Sequence, residues 1–204
     1  MRHNIGSKLI FIGILCILAS FIGVLHNKLE DNQAEQESHN IICEIQKVYA
    51  DESSVSEVLT YEGIPEIDKL AYSNTEKTVD IDGISYVGMI SIPRLNLELP
   101  IIKEISYSSL KKAPCVYSGS YKDNNLVIGA HNYRSHFGNL KYLTAGDVVI
   151  YTDMLGDQIT YIVDSTEILN KDQVEQLIES EFDLSLFTCT IGGSQRVVVR
   201  CNRG

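Results

Sequence analysis

Residues 184–201 read LSLFTCTIGGSQRVVVRC, and the parsing of this stretch decides the rest of the chain. Two runs of strand-forming residues, LSLFTC and QRVVVRC, flank Gly192-Gly193. A glycine pair tolerates the positive φ that a tight turn demands, so the stretch reads as an antiparallel hairpin. With the two glycines at the central turn positions, Ile191 faces Ser194, Thr190 faces Gln195, and Cys189 faces Arg196. Opposed residues share a face of the sheet. Leu184, Leu186, Thr188, Val197 and Val199 then share the other face, which reads as core. A slip of one residue would send Cys189 and Arg196 to opposite faces. In the same register Cys201 lies opposite Leu184, about 16 Å of strand from Cys189. A disulfide needs Cα atoms within about 7 Å, so none is expected between these two thiols.

Upstream of the hairpin, short runs of the same kind recur at 85–92, 97–102, 115–118, 125–130, 147–153 and 158–164. With 184–189 and 195–201 they make eight strands at spacings that suit an all-β barrel or sandwich. Helical pieces are brief, near 108–112, 137–143 and 171–179. The region 81–204 is long enough to bury its own core.

The N-terminus is of another kind. Residues 9–25, LIFIGILCILASFIGVL, carry no charge, and seventeen residues of helix span roughly 25 Å. Arg2 and Lys8 precede the run, while Glu30, Asp31, Glu35 and Glu37 soon follow it. The positive-inside tendency places the N-terminus in the cytoplasm and the remainder outside. The run ends in Phe21-Ile22-Gly23-Val24-Leu25, a poor signal-peptidase exit, so an uncleaved anchor is expected. Leu15 before Cys16 also argues against a lipoprotein anchor.

Between the two lies an acidic segment. The formal charge is −10 overall: +3 over residues 1–28, −10 over 29–80 and −3 over 81–204. An acidic balance excludes a nucleic-acid binder, which needs a basic face to neutralise phosphates. Residues 30–40 offer almost no apolar side chain to a core. Ile41, Ile45 and Val48 fall at helical spacing, whereas Ile64-Pro65 and Tyr72-Ser73-Asn74 would break a longer helix. The expected organisation is an anchor at 1–28, an acidic stalk at 29–80 and a folded domain at 81–204.

The chemistry-bearing residues form a coherent set. A thiolate is the strongest nucleophile among common side chains. An imidazole can deliver a proton to a leaving amine. A guanidinium can hold a developing oxyanion. Together they suit acyl transfer through a thioester. Cys189 ends a strand beside a turn, although a lone thiol is more often structural. His131 directly follows the apolar run NLVIGA, and His136 is its neighbour in sequence. Arg196 and Arg200 both fall on the Cys189 face, but Arg200 is about 13 Å farther along, which favours Arg196.

Taken in order, these features resemble the sortase family. The pieces are MISIPRLNLELPI, IGAHNYRSHFGNL with His131, TAGDVVIYTD, LSLFTCT with Cys189, and QRVVVRC with Arg196. The resemblance covers about 86–203. It implies an eight-stranded sortase-like β-barrel behind an N-terminal transmembrane helix, on the surface of a Gram-positive cell. It implies cleavage of a C-terminal sorting signal, LPXTG-like, through a thioester, and transfer of the surface protein to a cell-wall amine. By position, Cys189 is the nucleophile, His131 the general acid and base, and Arg196 the substrate or oxyanion clamp. The chain departs from the family pattern in Gly129-Ala130, where Ala-Gly is usual, and in a very short link between the last two strands. No Asp-Pro-aromatic lid motif stands in the stalk, and no apolar run follows Gly204, so pilin polymerisation is not expected; the subclass is left open.

Other readings compete. Papain-like wall hydrolases place the cysteine before the histidine, the reverse of the order here. L,D-transpeptidases want an SxGC-like motif, which LFTC does not match. A non-catalytic, membrane-tethered binding module would make Cys189 and His131 structural. Asp172, Glu175, Glu179, Glu181 and Asp183 are oxygen donors of the kind calcium takes, but the Asp-rich loop signature is missing, so a solvated acidic helix is preferred and no cofactor is expected.

Overall fold

A computed structural model describes residues 3–59 and 76–204. The breaks expected at Ile64-Pro65 and Tyr72–Asn74 lie outside the described residues. The chain divides into two compact units, Met1–Gln33 and Ala34–Gly204.

The first unit is part of a helix, α1 (His3–Leu59), long and apolar enough at its N-terminal end to cross a membrane. Leu9, Phe11, Ile17, Phe21 and Val24 all face outward with more than half of their surface exposed. Ser20 Oγ donates to the Cys16 carbonyl at 2.9 Å, so its hydroxyl is satisfied within the helix.

The second unit begins on the same helix. Ala34, Ser38, Ile42 and Ile45 are buried, at spacings of four, four and three that lie along one helical face. Ile42 and Ile45 meet the hairpin of β1 (Val79–Ile81) and β2 (Ile84–Ile92), in a cluster with Tyr86, Met89, Cys115 and Met154. Ile41 and Val48 pack only partly against this cluster. Ser38 Oγ donates to the Lys112 carbonyl at 3.2 Å, and Tyr49 donates its hydroxyl to the Asp153 carbonyl at 2.5 Å. The acidic segment expected to be a spacer is therefore seated on the barrel from Ala34 to at least Tyr49. Small residues let the helix approach the sheet, and a search for large apolar side chains overlooks them.

The remaining strands are β3 (Leu97–Ile102), β4 (Cys115–Ser118), β5 (Leu126–Ala130), β6 (Val148–Asp153), β7 (Gln158–Asn170), β8 (Leu184–Cys189) and β9 (Gln195–Arg203). Two short helices intervene, α2 (Tyr107–Lys112) and α3 (Val174–Ile178), with 3₁₀ turns at Pro93–Leu95 and Leu140–Tyr142. The strand order is β1-β2-β3-β4-β5-β8-β9-β7-β6, and β2 also pairs with β6. That second pairing closes β2 to β9 into an eight-stranded barrel, as the spacing of the strands led us to expect. Inward-facing Ile90, Ile101, Ile128, Tyr151, Leu186 and Val199 fill it. Strand β1 is an addition outside the eight, joined to β2 by a hairpin. Its turn, Asp82-Gly83, has φ of 51° and 75°, the left-handed pair that an Asp-Gly turn supplies.

β7 is six residues longer than the 158–164 expected. The pairing with β9 shifts between Val163 and Ser165, so Asp164 is a bulge. Before it, Tyr161 and Val163 face the core; after it, Glu167 and Leu169 stand opposite Val198 and Arg196 on the outer face. The alternation changes phase at an aspartate, which in sequence looks like the end of a strand.

Candidate active site

β8 and β9 pair in the register derived from the glycines: Leu184 opposite Cys201, Thr188 opposite Val197, and Cys189 opposite Arg196. The turn itself differs. Gly193 N donates to the Thr190 carbonyl at 2.8 Å, so Ile191 and Gly192, not the two glycines, are the central pair. Gly192 holds φ at 90°, as the third residue of a type II turn must. Thr190 N donates to the Gln195 carbonyl at 2.8 Å and closes a four-residue loop. A four-residue loop has the same midpoint as a two-residue one, so the register is unchanged. Cys189 and Cys201 are both free thiols.

The histidine is placed by a parallel pair. β5 runs beside β8 with Leu126 opposite Leu184 and Ala130 opposite Thr188. Thr188 Oγ1 donates to the Ala130 carbonyl at 2.9 Å and pins the two strand ends together. His131 and Cys189 are the next residues on each strand. Neighbouring strands lie about 4.8 Å apart, so both leave the same edge of the barrel side by side. Arg196, the second residue of β9, lies opposite Cys189 at this same edge. The fold thus gathers all three residues singled out in the sequence.

The surroundings of the three differ. Cys189 is exposed, whereas Cys115 and Cys201 are fully buried. Burial pushes both buried thiols up to about 12 and keeps them protonated. The His131 ring stands edge-on to Tyr107 at 5.7 Å and beside Tyr133 at 5.0 Å. Tyr107 comes from α2, and nothing local in the sequence joins it to the histidine. Arg196 Nη1 donates to the Lys171 carbonyl at 2.6 Å, and its guanidinium lies 5.8 Å from the centre of the Phe187 ring.

The rejected candidates are built into the fold. His136 is fully buried, with Tyr133 at 5.5 Å. Arg200 is 3% exposed. Its Nε donates to Glu167 at 2.7 Å, Nη1 to Ser185 Oγ and the Leu177 carbonyl, and Nη2 to the Gln176 carbonyl. It ties α3 to the barrel, with four of its five N–H groups donated within the fold. Within the acidic run, Asp183 accepts the backbone N–H of Arg203 at 2.8 Å. Among the described residues no three His, Cys, Asp or Glu side chains are grouped to hold a metal.

Comparison with known proteins follows the fold. A Sortase domain model matches residues 90–204. Among solved structures, sortase C1 from Streptococcus suis is 25% identical, with 58% of this chain and 73% of that chain covered at a TM-score of 0.51. Sortase C1 of Streptococcus agalactiae, solved with MTSET, is 27% identical over 58% of this chain and 69% of that one, at 0.50. A sortase D5 transpeptidase of Clostridium perfringens shares the fold at a TM-score of 0.54, with 18% identity over 70% of this chain and 90% of that one. No match is found among curated proteins. The domain match spans more than half of the chain and ends on the strand that carries Arg196, and on that ground the protein belongs to the sortase family, the cysteine transpeptidases of the cell surface.

Proposed function

We propose that Cys189 is the nucleophile of a transpeptidase that cleaves an LPXTG-like sorting signal and transfers the surface protein to a cell-wall amine. The observation that carries this reading is the parallel pair Ala130–Thr188, which sets His131 and Cys189 on adjacent strand ends. The Cys189 thiolate attacks the scissile carbonyl carbon, and the charge passes to the carbonyl oxygen. The Arg196 guanidinium donates to that oxygen. As the C–N bond breaks, His131 gives a proton to the leaving amine. The acyl group remains on sulfur as a thioester. An incoming amine then attacks the thioester carbonyl, loses its proton to His131 and expels the Cys189 thiolate. No cofactor enters either half.

The helix at residues 9–25 serves in this reading as a single-pass anchor, N-terminus inside, with the barrel outside the cell. Its composition and the basic residues Arg2 and Lys8 support that orientation. Protease added to intact protoplasts should remove the barrel, and a protected barrel would reverse the topology.

The full chain in detergent should cleave at least one member of a panel of sorting-signal peptides. An acyl adduct should be trapped on Cys189. Cleavage that survives Cys189→Ala would refute the mechanism.

A further inference from the structure

Phe187 is two residues before Cys189 on β8 and points to the same outer face. It is 7% exposed, packed among Val127, Leu169, Leu177 and Val198 under α3. Its ring meets Tyr117 edge-to-face at 5.1 Å. Across the parallel pair it stands opposite Gly129. A Cβ on Gly129 would come within 2.5 Å of the Phe187 ring, so the ring occupies the space that any side chain there would need. The ring is therefore fixed on three sides. Against it stands the Arg196 guanidinium, 5.8 Å from the ring centre, with Nη1 also donating to the Lys171 carbonyl at 2.6 Å.

A guanidinium on a long stem loses rotamer freedom whenever it is held in one place. An aromatic face attracts a cation and orients its plane, more strongly where water is partly excluded. The ring here is rigid because the backbone of Gly129 backs it. The Phe187 ring on β8 thus meets both Gly129 on β5, two residues before His131, and Arg196 on β9.

We infer that Phe187 is a positioning residue for Arg196: its ring, seated on Gly129, sets where the guanidinium stands beside Cys189. The inference rests on the reading of Arg196 as the substrate clamp. Phe187 touches no substrate and acts only through the arginine.

The test reads the cation beside the thiol without any substrate. The full chain in detergent is treated with an anionic and a cationic methanethiosulfonate, and the modification rates are measured by mass spectrometry on the Cys189 peptide. A guanidinium near the sulfur favours the anionic reagent, so Arg196→Ala should lower the ratio of anionic to cationic rates by about threefold or more. Phe187→Leu should lower it in the same direction, and should lower it no further once Arg196→Ala is present. Phe187→Met keeps the bulk without the aromatic face and should behave alike, so a folding defect of one variant does not decide the matter. Gly129→Ala, which leaves both side chains chemically intact but displaces the ring, should also lower the ratio. A ratio that stays at the wild-type value in both Phe187 variants would overturn the inference. So would a Phe187 effect of equal size with and without Arg196, or a ratio that Arg196→Ala does not move. Failure of the proposed mechanism is seen separately, as peptide cleavage that persists in Cys189→Ala.

Discussion

Ala130 and Thr188 stand opposite each other in parallel register, with the Thr188 hydroxyl donating to the Ala130 carbonyl at 2.9 Å. The residues that follow them, His131 and Cys189, therefore leave the barrel at one level on neighbouring strands. Parallel strands of a sheet point the same way, so two groups from distant parts of the sequence emerge together at one edge.

The exposed thiol should be the reactive one. Cys189→Ala should abolish acyl-enzyme formation, and Cys189→Ser should be severely impaired because the thioester needs sulfur. Cys115→Ala and Cys201→Ala should retain it, since burial pushes these thiols up to about 12 and away from the thiolate form. Mass mapping of a trapped adduct checks the assignment, and an adduct on Cys115 or Cys201 would contradict it.

His131 and Arg196 should separate cleanly from their neighbours. His131→Ala and Arg196→Ala should each cost about a hundredfold or more in turnover. Arg196→Lys should rescue poorly, because a point charge cannot reproduce the planar donor fork. Arg200→Ala should instead lower stability, by roughly 2–3 kcal/mol, since it strands Glu167 and two carbonyls under α3. Denaturant titration alongside kinetics distinguishes the two kinds of loss. A dead but stable Arg200→Ala would mean that the clamp is misassigned.

The helix seated on the barrel should matter to folding. Ile45 is fully buried against the β1–β2 hairpin, and Ile45→Ala should cost about 2–4 kcal/mol. Glu44→Ala, on the same helix and exposed, should cost little. Thermal melts of the two variants decide whether residues 34–49 are structural or a loose tether.

Glu76 should set a weak pH dependence. Burial is the largest influence on its carboxyl and raises its pKa, against the pull of Lys103 and Lys122. Between the ordinary value and the raised one, the native state keeps a proton that the unfolded state has lost. Stability therefore falls as pH rises through that window. Glu76→Gln should raise the melting temperature by about a degree or two at pH 7 and leave it unchanged near pH 4. A melting temperature that drops at pH 7 would reverse the sign.

Much of the barrel was legible because its strands alternate and are punctuated by turn residues. All eight barrel strands fall where the alternation places them. The β1 strand was missed although Asp82-Gly83 announced its hairpin, and the end of β7 was missed because a bulge hides the phase. The Cys189–Arg196 opposition could be read from two glycines, since the midpoint of a hairpin fixes its register. The His131–Cys189 adjacency could not be read that way. It depends on a parallel pairing between residues 58 apart in sequence, which no local pattern encodes. It came instead through the resemblance of the whole motif set. The departure at Gly129-Ala130 has a steric reason that only the packing reveals, the Phe187 ring lying where a Cβ would go.

The bulge at Asp164 makes β7 a strand with two phases, because that one residue is left out of an otherwise continuous ladder with β9. Arg200 finds Glu167, and Leu169 finds the cluster under α3, only in the second phase. Length changes in this chain are therefore not equivalent. Two residues added symmetrically to the loop at 191–194 would leave every pair in the last hairpin facing as before. Removing the single residue Asp164 would take out the bulge and leave Glu167 opposite Val198 and Leu169 opposite Arg196, whereas removing one residue from within β8 or β9 would turn every side chain beyond it to the other face, so the tolerance of the fold to insertion and deletion is set by strand pairing rather than by exposure.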